Sequence, residues 1–136
     1  MHLVGGLLAV SALSATFGGM VFFAVIVTPL VFGTLSPEDA RVFTRAAFPR
    51  YYLYIAITSG LAALGLLLHA EVFLMSLPIL VLVSTLWVWM LWLPHLNDLR
   101  EGGDRTGFTR GHRLSVLVNI SAMMLTLITL VVLFLR

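Results

Sequence analysis

The side chains best suited to binding chemistry begin at His112, just before the last long apolar stretch of the chain. Ser115 stands three residues after it and Asn119 seven residues after it. In an α-helix this spacing places all three side chains on one face. An amide two turns inside an apolar span needs a hydrogen-bond partner, so Asn119 is predicted to face the interior of a helical bundle.

A second group of polar residues stands where the preceding apolar stretch ends. His95 follows Pro94 directly, and Asn97 and Arg100 come next. If the two stretches are neighbouring helices, both groups lie at the same end of the molecule and can enclose a small polar pocket. We expect arginines at its mouth, histidines at its rim and an amide at its floor. The predicted site residues are His112, Asn119, Ser115, His95, Asn97, Arg100 and Arg113.

These groups are compatible with more than one chemistry. His95 and His112 come from different helices, and imidazole nitrogens bind haem iron, copper, zinc or nickel, or relay protons. The alternative is structural, because a polar group in lipid also fixes the register of two helices through a hydrogen bond. The chain has no cysteine, and it has no serine–histidine–aspartate set, phosphate-binding loop or carboxylate pair at usable spacing. No catalytic residue is therefore predicted, and an enzyme is not favoured.

The composition determines what kind of protein carries these residues. The chain has 136 residues, of which 60% are hydrophobic and 10% are charged. A soluble domain is near half apolar and about a quarter charged, so a water-soluble enzyme and a disordered chain are both excluded. The net charge of +2, with eight Arg and no Lys, is too small and too dispersed for a nucleic-acid binder. What remains is an integral membrane protein with one domain over residues 1–136, whose partner is the lipid bilayer.

Charged residues divide the chain into four apolar stretches. The stretches without any charge are residues 1–37, 51–70, 72–97 and 114–135. Each can cross a bilayer as a helix, which takes about 20 residues, and the alternation typical of a membrane β-strand is absent. The sequence therefore predicts an all-α, integral membrane four-helix bundle, with helices near 4–32, 51–68, 72–93 and 114–135.

The first apolar stretch is longer than a bilayer requires. A helix from Leu3 to Phe32 measures about 45 Å, against a hydrocarbon core of about 30 Å. It must therefore tilt, bend or project from the membrane. We expect the bend at Pro29, with the preceding Thr28 hydroxyl bonding a carbonyl that the proline frees.

The segment between the first two spans has the signals of a helix start. Ser36 is a typical N-cap, and Pro37 and two acidic residues follow it. A short amphipathic helix at about 37–47 is predicted to lie along the membrane surface between helices one and two. Arg41 and Arg45 are one turn apart on it and are expected to face lipid phosphates.

The arginines predict the orientation. The 33–50 and 94–113 loops contain seven of them, whereas the opposite side, made of both termini and the 69–71 turn, contains only Arg136. Loops rich in Lys and Arg stay in the cytoplasm. We therefore expect both long loops to be cytoplasmic and both termini to be outside, in the inner (plasma) membrane of a bacterium.

Small residues recur at four-residue spacing in the first two helices, and helices in lipid approach each other closely at such positions. They predict helix-packing seams, either within the chain or in a homo-oligomer. The pairs are Ser14/Gly18 and Ala15/Gly19 in helix one, and Ala56/Gly60 and Ser59/Ala63 in helix two.

Two blocks of the sequence resemble a known family. The first runs from Gly18-Gly19-Met20-Val21-Phe22-Phe23 through Val27-Thr28-Pro29-Leu30-Val31-Phe32 to Phe48-Pro49-Arg50-Tyr51-Tyr52. The second is Pro94-His95-Leu96-Asn97-Asp98-Leu99-Arg100, followed by Phe108, His112, Ser115 and Asn119. Both resemble an uncharacterised membrane domain, domain of unknown function 4149, which is similar to transmembrane protein 205. The resemblance implies a four-helix membrane protein of unassigned activity.

A more distant likeness links such domains to copper-resistance D-type proteins and to haem-biosynthetic membrane oxidases. Those proteins use intramembrane histidines for haem or metal, and this likeness implies that His112 and His95 are the candidate ligands here. The expected function is a multi-pass membrane protein of unassigned activity, whose small cytoplasm-facing pocket binds a small solute or metal or helps to transport it. Two alternatives stay open: a haem- or metal-binding membrane redox module, and a structural or assembly subunit of a membrane complex.

Overall fold

A computed structural model describes all residues, 1–136, as four long helices without any β-strand. We number them by chain order, with each helix taken through its internal irregularities. They are α1 (His2–Thr34), α2 (Pro37–Leu68), α3 (Val72–Glu101) and α4 (Arg105–Leu135). All four are long and apolar enough to cross a membrane. The predicted all-α membrane bundle is confirmed, and the chain is a multi-pass membrane protein.

The helices form a closed ring in chain order. α1 packs against α2, α2 against α3, α3 against α4, and α4 returns to α1. Successive helices run in opposite directions, so residues 35–36 and 102–104 lie at one end, which we call the arginine-rich end. Both termini and the 69–71 turn lie at the opposite end, where Arg136 and Glu71 form an ion pair.

Three of the helices, α2, α3 and α4, extend beyond their charge-free stretches at the arginine-rich end, whereas α1 lies within its own stretch. Residues 37–47 are helical, but they do not form a separate short helix, because they continue without a break into the second span as α2. Most of the 94–113 segment is likewise helical, as the end of α3 and the start of α4. The charge-free stretches locate the four spans, and they do not mark where the helices end.

Side-chain caps begin two of the helices. The Ser36 hydroxyl accepts a hydrogen bond from the Asp39 N–H at 3.1 Å, as its position before Pro37 predicts. The Asp104 carboxylate accepts one from the Gly107 N–H at 2.9 Å and starts α4 in the same way. These caps satisfy N–H groups that have no partner inside a helix.

Two of the helices contain a single wider, π-helical turn followed by a proline. The turns are Phe23–Val27 in α1, before Pro29, and Val88–Trp92 in α3, before Pro94. In α1 the Thr28 hydroxyl donates a hydrogen bond to the Phe23 carbonyl at 3.0 Å. The Thr28 backbone N–H already bonds this carbonyl, so the prediction that the hydroxyl bonds a carbonyl freed by Pro29 is wrong. Such turns are frequent at functional sites, and both lie towards the arginine-rich end.

Close backbone contact joins α1 and α2 at the opposite end. A side chain on Gly65 would lie 2.5 Å from the backbone nitrogen of Ala9, so only glycine fits there. Further along the same seam the Tyr54 hydroxyl donates to the Ala15 carbonyl at 2.7 Å, and a side chain on Gly19 would overlap the Tyr54 ring. This seam supplies most of the tight packing of α1.

The small-residue pairs behave differently in the two helices. Ser14 and Gly18 of α1 are exposed, whereas Ser59 and Ala63 of α2 are buried. The four-residue spacing of small residues does not show which face of α1 packs against the bundle. The face that does pack contains larger side chains as well. The buried residues of α1 are Gly5, Ala9, Ala12, Leu13, Thr16, Met20 and Val31. Whether the exposed pair joins copies of the chain stays a prediction.

Candidate functional site

A cavity of about 390 Å³ opens at the arginine-rich end between all four helices. Twelve of its 21 lining residues are hydrophobic. The charged and amide groups, together with a histidine and a serine, come from three helices: Arg45 from α2, Asn97 and Arg100 from α3, and a column of side chains from α4. That column consists of His112, Ser115 and Asn119.

The floor of the cavity contains a hydrogen bond between helices. The Tyr51 hydroxyl of α2 donates to the Asn119 Oδ1 atom of α4 at 2.8 Å. The Tyr51 ring packs against Phe23, with ring centroids 4.5 Å apart, and its edge meets Tyr52 at 5.4 Å. Asn119 therefore faces the bundle interior, as its depth in an apolar span predicts, and Tyr51 is its partner.

The other two polar side chains of α4 stand nearer the mouth. The Ser115 hydroxyl donates to the Gly111 carbonyl of its own helix at 3.2 Å. His112 lies before the charge-free stretch 114–135, and its ring stacks on Phe108 with centroids 6.0 Å apart. Partial desolvation of the ring, followed by the nearby charge of Arg100, lowers the pKa of His112 below its usual value. The lowered pKa favours the neutral form of the imidazole.

Arginines converge at the mouth. Arg100, just beyond the charge-free stretch of α3, has its guanidinium 4.3 Å above the centre of the Phe108 ring. Arg45 of α2 forms an ion pair with Glu101 of α3. Burial, and then the charges of Arg41 and Arg45, lower the pKa of Arg100. Arg100 stays charged, because an arginine is protonated at any physiological pH, so the mouth holds an excess of positive charge.

Arg45 has a role that the sequence does not predict, because it lines the cavity and bridges α2 to α3. The continuous helix explains this position, since an α2 without a break at Pro49 brings Arg45 against the end of α3. That Arg45 also faces lipid phosphates stays a prediction.

Five of the seven predicted site residues line this cavity, namely Asn97, Arg100, His112, Ser115 and Asn119. Arg113 and His95 do not. Arg113 is exposed, since it is one residue, or about 100° of helical rotation, away from His112. His95 packs against Trp92, with centroids 5.3 Å apart, and borders a second hollow that also includes Arg110 and Gly111.

The two histidines proposed as metal or haem ligands thus border different hollows. No group of three or more histidine, cysteine, aspartate or glutamate side chains is placed to hold a metal ion. The donors around the main cavity are guanidinium, amide, hydroxyl and a single imidazole, and this set suits an oxygen-rich anion better than a transition metal.

Three residues that matter to the site are not identified from the sequence. Tyr51 is an aromatic at the start of a span, a position typical of the membrane interface. Trp92 donates its indole N–H to the Gly111 carbonyl at 3.1 Å and joins α3 to α4, and a side chain on Gly111 would overlap Leu96. The one signal that could reveal Tyr51 is the need of Asn119 for a hydroxyl or amide partner at its own depth.

Residues 11–105 match the model of a family described as domain of unknown function, DUF4149. The match covers more than half of the chain and includes the site residues of α1, α2 and α3. No curated protein matches this chain, and no solved structure does. The similarity to transmembrane protein 205 accordingly stays a prediction.

Proposed function

We propose that this chain, which belongs to the domain of unknown function family DUF4149, binds a small anionic solute in the cavity at its arginine-rich end. The observation that carries the proposal is the convergence of Arg45 and Arg100 on one apolar-walled cavity that also contains the Asn97 and Asn119 amides. Guanidinium groups bind carboxylates and phosphates in bidentate fashion. Ligand pockets are typically apolar with a few convergent polar groups and a volume of about 300–1,000 Å³.

The surroundings of the mouth favour an anion over a cation. Arg41 and Arg45 lie close enough to lower the pKa of Arg100, and Glu101 is paired with Arg45 alone. Of these three guanidinium groups, only that of Arg45 forms an ion pair. An anion that enters the cavity relieves this repulsion, whereas a metal cation adds to it.

The proposal includes the location and the orientation of the protein. The excess of arginine at one end, seven against one, supports an arrangement in which the cavity opens to the cytoplasm and both termini lie outside. The membrane we propose is the inner membrane of a bacterium. Binding there gives the protein a role in holding the solute or helping to move it, and no chemical conversion of the solute is proposed.

A structural role is the second candidate, and the hydrogen bond between Tyr51 and Asn119 favours it. In that case the polar residues only fix α2 against α4. A haem- or metal-binding redox module remains the third candidate through His112 and His95. Absorbance and metal analysis of the detergent-purified protein test this candidate. A Soret band or one metal ion per chain would favour a bound cofactor over a bound anion.

The experiment measures binding of three small anions, phosphate, glycerol 3-phosphate and succinate, to the purified protein by isothermal titration calorimetry. We expect at least one of them to bind. Arg100→Gln, which keeps a similar length and removes the charge, should weaken that binding at least tenfold. Arg50→Gln is the matched control, because Arg50 lies at the same end and bonds only the Ala46 carbonyl of its own helix.

Each result supports or contradicts the proposal. Loss of binding in Arg100→Gln, with Arg50→Gln unchanged, supports a site at the mouth. Equal binding by all three proteins, or no binding of any of the anions, contradicts it. If the anions do not bind and Tyr51→Phe only lowers stability, the structural role is the better description.

A further inference from the structure

We infer that the occupant of the cavity is an anionic phospholipid of the surrounding leaflet, with its head group against Arg45 and Arg100 and one acyl chain entering between α1 and α4. The inference rests on the proposed function, and it adds the chemical class of the ligand and the route by which the ligand enters.

The cavity has an opening at its side as well as at its end. Some residues that line it are also exposed on the outer surface of the bundle: Ala24 and Phe32 on α1, and Val116 and Ile120 on α4. Phe32 is 63% exposed, Val116 42% and Ile120 45%. Residues that face both the cavity and the outside form a rim, so an opening lies between α1 and α4.

The packing of α1 explains why this opening exists. Near the opposite end, Ala12 and Leu13 of α1 pack together with Leu130 and Leu133 of α4, and these contacts close the ring of helices. After the π-helical turn, residues 23–34 of α1 have α2 as their main neighbour. The ring is therefore closed towards the opposite end and parted beside the cavity.

The opening lies at the depth of the hydrocarbon. Ile120 is six residues inside the charge-free stretch that begins at Leu114, which is about 9 Å along a helix. Ala24 lies well within the charge-free stretch of α1. Both rim residues are apolar, so an acyl chain meets no polar barrier between the bilayer and the cavity.

The interior suits an acyl chain, and the mouth suits a phosphate. Apolar cavities exclude water and accept apolar guests, and a space of about 390 Å³ that is open to lipid at its side is filled most readily by the nearest hydrocarbon. Arg100 and Arg45 lie at the end of the same cavity, at the level where lipid head groups meet arginine side chains. One molecule that carries both parts fits both features.

The experiment compares three probes on the purified chain in a non-ionic detergent by native mass spectrometry. Lysophosphatidylglycerol has one acyl chain and an anionic head. Lysophosphatidylcholine with the same chain has a zwitterionic head and controls for partition into micelles. Glycerol 3-phosphate has an anionic head without a chain. We expect lysophosphatidylglycerol to bind at least tenfold more tightly than either of the other two.

Variants separate the route of the chain from the site of the head group. Ile120→Trp fills the side opening. It should weaken the binding of lysophosphatidylglycerol at least tenfold and leave the binding of glycerol 3-phosphate unchanged. Val116→Trp, at the same rim, is a second blocking variant in case the first does not fold. Ile57→Trp is the matched control, since Ile57 is 53% exposed on α2 and does not line the cavity. Arg100→Gln should weaken the binding of both anionic probes.

The outcomes distinguish this inference from the proposed function. If both rim variants bind lysophosphatidylglycerol normally while Arg100→Gln does not, the anion site stands and the acyl-chain route is wrong. Equal binding of the two lysolipids shows that the head group is not selected for charge and overturns the inference. If Arg100→Gln alters neither anionic probe, the proposed function fails as well.

Discussion

The hydrogen bond from Tyr51 to Asn119 is the polar link between α2 and α4, and its removal is the sharpest test of the bundle geometry. Tyr51→Phe takes away the hydroxyl and keeps the ring, which stays packed on Phe23 and Tyr52. Asn119→Leu takes away the acceptor and keeps a side chain of similar size. Each change removes the same 2.8 Å bond, so the double variant should lose it only once.

The expected magnitude follows from the setting of the bond. Hydrogen bonds between helices in membranes contribute about 0.6 kcal/mol on average and up to about 1.7 kcal/mol. The Tyr51 side chain is buried and the donor–acceptor distance is that of a well-formed hydrogen bond, so we expect the upper part of this range. The double variant should therefore be about 1–1.7 kcal/mol more stable than the sum of the two single effects predicts.

The assay is equilibrium unfolding in mixed micelles of increasing sodium dodecyl sulfate content, followed by circular dichroism. Tyr54→Phe combined with Asn119→Leu is the matched control, since the Tyr54 hydroxyl bonds the Ala15 carbonyl of α1 instead. That control pair should be additive within about 0.5 kcal/mol. Additivity in the Tyr51–Asn119 pair as well would refute the hydrogen bond between these residues and the placement of Asn119 at the cavity floor.

Three further predictions concern packing, topology and pH. Gly65→Ala should lower the free energy of unfolding by about 1–3 kcal/mol, because the new Cβ would lie 2.5 Å from the Ala9 nitrogen. Gly60→Ala is the control: its new Cβ meets no atom within 4 Å, so it should be neutral or stabilising by up to about 1 kcal/mol. Similar losses of stability in both variants would contradict the close contact between α1 and α2. Cysteines at Ser36 and Thr106 should be protected from an impermeant thiol reagent applied to intact cells, whereas one added after Arg136 should react; the reverse pattern would invert the orientation. Because the pKa of His112 is lowered in the folded chain, the native state binds fewer protons than the unfolded state. The free energy of unfolding, measured without ligand, should therefore fall as pH drops through about 6.5. His112→Gln should flatten this pH dependence, and an unchanged slope would show that the ring is not desolvated.

The sequence predicts the membrane spans because the rule behind them is local. A charge inside the hydrocarbon is costly wherever it occurs, so the charge-free stretches place the four spans without any knowledge of packing. The same rule says nothing about where a helix ends in water. Helix ends depend on caps such as Ser36 and Asp104, and only the Ser36 cap is predicted from the sequence.

The site is predictable where one helix determines it and not where two helices must meet. His112, Ser115 and Asn119 share a face by their spacing alone, and all three line the cavity. Tyr51 is 68 residues away from Asn119 in sequence, and nothing local indicates that their side chains meet. Arg113 illustrates a local error, because a residue adjacent to His112 cannot share its face.

The π-helical turns and prolines of α1 and α3 make these two helices less regular towards the arginine-rich end. The turn before Pro29 and the turn before Pro94 each hold one extra residue, and each proline removes one backbone N–H donor. At the opposite end, α1 and α2 are in close glycine-to-backbone contact. Amide exchange should therefore be faster beside Pro29 and Pro94 than at the contact between Gly65 and Ala9.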